Sequence, residues 1–374
     1  MNSIERIVTL GQRIWYDNIN RELITSGGLR ALVASGVRGV TTNPTIFEKA
    51  VREGEYYDAD IHKLHARGMA PAAMIRELMI SDVRLAAEVL RGVYDRSLGE
   101  DGYVSIEVAP DKAQDAQATI AEAKLLWSAV DRPNVMIKIP ATEAGYGAIR
   151  EVLRAGINVN VTLIFAPQTY ERVAAAYMGA LEDRLADGQS IDKLASVASV
   201  FVSRVDTVVD GLLRDKLKVV PAAEAKRLKA LLGRAGMANA QRIYQRYKDI
   251  FRGKGFARLR ARGARLQWLL WASTSSKDPS YPATWYIDRL IAPDTINTVP
   301  PETLDAILAH SRPRALLEGE IAQAQLVLEG VRREGIDLPQ VLDSLLEQGL
   351  GSFLASYNAL SARLVDKKEQ ITAE

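Results

Sequence analysis

Short runs of β-branched and aliphatic residues alternate along this chain with longer stretches whose apolar positions recur every three or four residues. The runs 14–18, 38–43, 103–109, 134–140, 157–165, 197–202, 266–273 and 295–299 read as strands. The stretches 69–94, 112–130 and 167–186 read as amphipathic helices, and Gly and Pro punctuate the joints. Such alternation argues for parallel strands joined by crossover helices. Eight units of this kind predict an α/β protein built as a closed (β/α)8 barrel. Beyond them, 302–310, 313–334 and 338–369 read as additional C-terminal helices. Residues 1–374 are read as a single barrel domain, with 301–374 a helical extension packed on it. That extension is a candidate cover for the mouth or contributor to a homodimer. The stretch 215–265 is too long for one crossover helix. Two helices and a basic connector at 252–255 on a solvated surface are expected there.

Polar positions within the strands share one parity. In 157–163, Asn158, Asn160 and Thr162 alternate with Ile157, Val159, Val161 and Leu163. A strand covered by helices in a parallel sheet has no wet face. The polar side must therefore look into something special, for which a barrel interior opening on a pocket is the natural candidate. Ser105 and Glu107 share a face, as do Met136, Lys138 and Pro140, leaving Val135, Ile137 and Ile139 to pack under helices. Asp17, Asn43, Glu107, Lys138, Thr162 and Ser273 all fall near the C-terminal ends of their strands, where barrel active sites lie. Singly, each has a bland explanation. Lys138 could reach water from an edge, Asp17 cap a helix, Glu107 serve only as an ion-pair partner, and Thr162 with Asn160 form a satisfied layer. Six on six strands favour a site.

Lys138 stands out because burial disfavours an ammonium, and an uncharged amine can form a Schiff base with a carbonyl substrate. Loss and return of water at the resulting carbinolamine need a proton shuttle, for which Glu107 with a water positioned by Thr162 is suited. The protonated imine is an electron sink, and Asp17 could then take a hydroxyl proton and break a C–C bond.

Composition narrows the choice. With 48% hydrophobic and 25% charged residues the chain is an ordinary globule. A net charge of +2 supplies no field to gather nucleic acid or a membrane surface. The absence of cysteine excludes disulfides, thiolate metal sites and a cysteine nucleophile, and fits a reducing cytoplasm. Of the three histidines, His62 and His65 are three apart without a third ligand, so an exposed helix face is expected and no metal. Residues 1–6 show no signal-peptide pattern, and no apolar run approaches the roughly 20 residues of a membrane helix. A cytoplasmic, soluble protein is the expectation.

Several motifs together resemble the transaldolase family. They are Gly39-Val40-Thr41-Thr42-Asn43-Pro44-Thr45 and Asn134-Val135-Met136-Ile137-Lys138-Ile139-Pro140-Ala141-Thr142. Trp15-Tyr16-Asp17, Ser105 to Val108, Asn160-Val161-Thr162-Leu163, Ser199 to Arg204 and Ala272-Ser273 match as well. The resemblance spans about residues 10–310 in unbroken order, in agreement with the barrel reading. It implies transfer of a dihydroxyacetone unit from sedoheptulose 7-phosphate to glyceraldehyde 3-phosphate in the pentose phosphate pathway. Erythrose 4-phosphate and fructose 6-phosphate are then the products. It further implies Lys138 as Schiff-base lysine, Glu107 and a Thr162-held water for dehydration, and Asp17 as acid/base. Asn43, Asn160 and Ser199 would bind dihydroxyacetone hydroxyls, and Arg204 and Ser273 the phosphate; no metal or organic cofactor is implied. One departure is Ser275, where many relatives carry a second phosphate-binding arginine; Lys277 is the candidate substitute.

The nearest alternative is a Schiff-base aldolase that splits fructose 6-phosphate without an acceptor. Glu107 and Phe201 fit transaldolases, since those aldolases tend to carry Gln and Tyr there. A non-catalytic sugar-phosphate-binding barrel would not need a buried amine. A hydride-transferring enzyme lacks an early G-x-G-x-x-G.

Overall fold

The computed structural model describes residues 1–372. Seven parallel strands form one curled sheet: β1 Gln12–Tyr16, β2 Val104–Glu107, β3 Val135–Pro140, β4 Val159–Ile164, β5 Ser196–Phe201, β6 Trp268–Ala272 and β7 Thr295–Val299. Their order is β1-β7-β6-β5-β4-β3-β2, so each strand from β3 onward lies beside its predecessor, β7 lies beside β1, and β1 and β2 are the two edges. Helices Ala116–Val130, Glu143–Arg154 and Pro167–Ala186 make the crossovers between β2 and β5. Asp115 and Thr142 cap two of them with side-chain oxygens, each worth about 1 kcal/mol.

The fold is thus a TIM-like α/β architecture, but the closed ring of eight strands is corrected to seven. The expected strand 38–43 makes only single-residue bridges at Val40, to Tyr16 on one side and Val104 on the other. Its backbone still hydrogen-bonds both edges: Thr41 N donates to Tyr16 O and Val40 N to Tyr103 O, each at 2.9 Å. The reason is local. A Cβ at Gly39 would lie 2.5 Å from the Trp15 indole, so this stretch passes the ring without a side chain. Pro44 then opens the next helix, Pro44–Glu53, with Asn43 as its cap.

Side chains divide as the parity predicts. Val135, Ile137 and Ile139 join the shell between sheet and helices. Met136 packs inside with Trp15, Tyr103, Val197, Leu270 and Ile296. This apolar layer fills the lower half of the interior, and the polar positions lie above it.

Two further expectations change. Within 215–265 there are three helices, Ala222–Lys229, Ala235–Phe251 and Lys254–Arg260, besides the end of Ser203–Leu217. The middle one is no solvated surface: Tyr244, Tyr247 and Phe251 are buried. The expected connector at 252–255 is a short joint, with Gly253 capping the third helix. The expected helix 313–334 shortens to a 3-10 turn, Leu317–Glu320, and a helix, Ile321–Arg333. The helices Pro301–His310 and Leu338–Thr372 match expectation, and the last crosses the C-terminal end of the sheet against Pro44–Glu53 and Ser203–Leu217. His62 is exposed as expected, whereas His65 is half-buried, with Nε2 2.7 Å from Leu364 O on that last helix. Among the described residues no helix is long and apolar enough to cross a membrane.

Candidate active site

Parallel register brings the chemistry together. Glu107 on β2 pairs with Lys138 on β3, and Lys138 with Asn160 on β4, so three inward polar side chains stand abreast. Lys138 Nζ lies 3.2 Å from Glu107 Oε2 and donates a 3.1 Å hydrogen bond to the Thr42 carbonyl. Both side chains are nearly fully buried. Burial pushes the Glu107 carboxyl above its usual range; Lys138 pulls it back, and Asp17 adds a smaller upward push.

Asp17 follows β1 directly and accepts a 2.6 Å hydrogen bond from Thr41 Oγ1, which also lies 2.6 Å from Thr298 Oγ1. Its carboxyl is likewise raised, first by burial. Lys138 and Thr41 oppose this, and Glu302 reinforces it. Thr162 is fully buried, and its hydroxyl has no hydrogen-bond partner among the described residues. It sits at a bulge in β4, where Leu163 adopts a left-handed φ of 59°. Such backbone strain is concentrated at functional sites, where surrounding structure holds it in place.

Asp17, Asn43, Lys138, Thr162, Ser199, Phe201, Arg204, Ser273 and Lys277 line one cavity of about 230 Å³ at the C-terminal end of the strands. Glu107 and Asn160 are not on its wall. Glu107 is held beneath it by the Lys138 contact. Asn160 Nδ2 donates to Ser105 Oγ (3.0 Å), and Asn160 Oδ1 accepts from Ser199 Oγ (2.6 Å). Asn43 uses Oδ1 to cap its helix, accepting from Ile46 N at 3.0 Å. Its amide nitrogen is thereby left to donate elsewhere.

The far wall is cationic. Arg204 opens the helix after β5, stacks 5.3 Å over the Phe201 ring and makes no ion pair among the described residues. Burial lowers its pKa from the usual arginine value. Ser273, just beyond β6, takes a left-handed φ of 52°, with its hydroxyl 3.0 Å from Ser203 Oγ. Lys277 Nζ donates to Ser275 Oγ at 2.8 Å, and Ser275 also lines the cavity. An arginine without a carboxylate partner, beside serine hydroxyls, is an arrangement suited to a phosphate.

Several lining residues escaped the reading of the sequence as site residues. Thr41 and Thr298 support Asp17, and Glu302 stands at the rim. Phe353, from the helix Leu338–Thr372, closes the cavity with its ring 5.9 Å from Lys138 Nζ. Thr41 lies within the motif Gly39-Val40-Thr41-Thr42-Asn43-Pro44-Thr45, but no strand-end signal marks Phe353. A larger cavity, about 770 Å³, opens at the other end of the sheet between Arg13, Trp268 and Arg265. Among the described residues its lining holds no lysine–carboxylate set. Size is therefore a poor guide to the chemistry here.

Comparison with known proteins gives the family of the chain. The family model for transaldolase/fructose-6-phosphate aldolase matches residues 14–364. A transaldolase of Trichodesmium erythraeum is 42% identical over 99% of both chains. Transaldolase 2 of a Nostoc species is 43% identical over 98% of each. Transaldolase 1 of Streptomyces coelicolor is 44% identical over 96% of this chain and 93% of its own. The chain belongs to the transaldolase/fructose-6-phosphate aldolase family and is an enzyme of the transaldolase type.

Proposed function

We propose that the enzyme moves a dihydroxyacetone unit from sedoheptulose 7-phosphate to glyceraldehyde 3-phosphate through a Schiff base on Lys138, in the cytoplasm. Segment 38–43, bridged to both edge strands only at Val40, carries Thr41 and Asn43 to the mouth in this reading. The observation that carries the reading is the Lys138–Glu107 contact of 3.2 Å, on a cavity shared with Asp17 and an unpaired Arg204. Glu107, biased by burial toward its protonated form, is the natural acceptor of the Nζ proton as the amine attacks the ketone. The same carboxyl then protonates the departing carbinolamine hydroxyl, and the free Thr162 hydroxyl is placed to hold the water that leaves and returns.

With the iminium formed, Asp17 takes the proton from the C4 hydroxyl. The C3–C4 electrons flow to nitrogen, and the aldose departs. Asn43 and Ser199 are suited to the hydroxyls of the retained unit, with Asn160 orienting Ser199. Arg204, Ser273 and Lys277 receive the phosphate. Reduction with borohydride in the presence of fructose 6-phosphate, followed by peptide mapping, is expected to place a reduced three-carbon adduct on Lys138. An adduct on another lysine overturns the assignment.

Lys277 is the more mobile cation of the phosphate wall. Lys277→Ala is expected to raise KM for phosphorylated substrates by about tenfold with a smaller fall in kcat. An unchanged KM removes Lys277 from the site. The acceptor-free aldolase remains the alternative; Glu107 and Phe201, not Gln and Tyr, favour transfer.

A further inference from the structure

The helix Leu338–Thr372 is fastened over the mouth of the sheet at several points. Gly349 allows a close approach, since a Cβ there would lie 2.9 Å from Leu163 Cδ2 and 3.6 Å from the Arg204 guanidinium. Thr45 Oγ1 and Ser356 Oγ are 2.8 Å apart, and Leu360 and Leu364 pack with Phe47, Tyr57 and Ile61. Between these anchors Phe353 is 5% exposed and lines the cavity. Every other lining residue comes from a strand end or the loop or helix that follows it. Phe353 alone among them belongs to the final helix.

We propose that Phe353 is a specificity residue that keeps loose water from the Lys138 intermediate and so makes the enzyme a transferase in preference to a lyase. The inference rests on the Schiff-base reading above. After donor cleavage the three-carbon unit remains on Nζ as an enamine. With an aldehyde present, enamine carbon C3 bonds to the aldehyde carbon, whose oxygen takes a proton. Water then adds at C2 of the new iminium, the C2–N bond breaks, and the ketose leaves. Without an acceptor, C3 must first take a proton. Water adds at C2, the C2–N bond breaks, and dihydroxyacetone and the free lysine amine are released.

Both routes end with water at C2, and only the second requires a proton delivered to C3. C3 is two bonds from Nζ, so a ring 5.9 Å from that nitrogen occupies space from which solvent would reach the carbon. An apolar ring there offers neither a proton nor a seat for a water that could relay one. The aldehyde becomes the preferred electrophile.

The test compares two rates from fructose 6-phosphate: dihydroxyacetone release without acceptor, and transfer to erythrose 4-phosphate. Phe353→Ala is expected to raise the ratio of release to transfer by about tenfold or more. Phe353→Leu, which restores an apolar side chain, is expected to fall close to the wild-type ratio. A loss of packing alone would lower both rates together. Should Phe353→Ala not accumulate as folded protein, Phe353→Gln carries the same expected rise. A folded Ala or Gln variant that forms the borohydride adduct on Lys138 yet keeps the wild-type ratio overturns the role of Phe353. Absence of that adduct in the wild-type enzyme overturns the Schiff-base reading, and this inference with it.

Discussion

Lys138→Met is expected to reduce dihydroxyacetone transfer by about 10⁴-fold or more, because no other group at this position can form the covalent intermediate. Met keeps an unbranched side chain of similar reach, so the cavity floor stays filled. Removing one partner of a buried ion pair ordinarily leaves a costly charge behind. Here Glu107 is already biased toward its neutral form by burial, and proton uptake relieves that charge. The variant is therefore expected to remain folded, with loss of both turnover and the borohydride adduct. A folded Lys138→Met enzyme within tenfold of the wild-type kcat would end the Schiff-base account.

Asp17→Asn is expected to lower kcat by about 10²- to 10⁴-fold while leaving the borohydride adduct intact. Asparagine keeps an acceptor for the Thr41 hydroxyl but cannot take the hydroxyl proton whose loss breaks the C–C bond. The imine forms and stalls, so the adduct should carry the whole ketose and not the three-carbon unit. The pH dependence has a definite sign. Burial raises the Asp17 carboxyl above its ordinary value, so on acidification it protonates earlier than an exposed aspartate and ceases to act as a base. Wild-type kcat should fall on the acid side at a pH above the usual aspartate range. The residual rate of Asp17→Asn should lack that limb. Equal loss of adduct and turnover would instead place Asp17 in imine formation.

Much of this was legible because strands impose a period of two. The parity of Met136, Lys138 and Pro140 against Val135, Ile137 and Ile139 matched the division between interior and shell. The lysine's neighbours followed from register, since adjacent parallel strands bring like depths together. Segment 38–43 misled because Val40 and its flanking residues have strand character, while the decisive feature was the Trp15 ring beside Gly39. The helix Ala235–Phe251 misled through its composition. Arg242, Arg246 and Lys248 suggest a wet surface, yet Tyr244, Tyr247 and Phe251 recur on the opposite, buried face. Phe353 was invisible for a different reason. It reaches the cavity through the placement of a helix far along the chain, and periodicity only marks it as apolar.

The stack of Trp15, Tyr103, Met136, Val197, Leu270 and Ile296 has an effect reaching past packing. It is an apolar bulkhead between the proposed catalytic mouth and the larger hollow at the opposite end. Among the described residues no side-chain hydrogen bond or ion pair joins the lining of one cavity to that of the other, so changes at one end should combine additively with changes at the other. Evolution, or an engineer, can remodel the lower end for solubility or assembly and leave the sugar chemistry undisturbed.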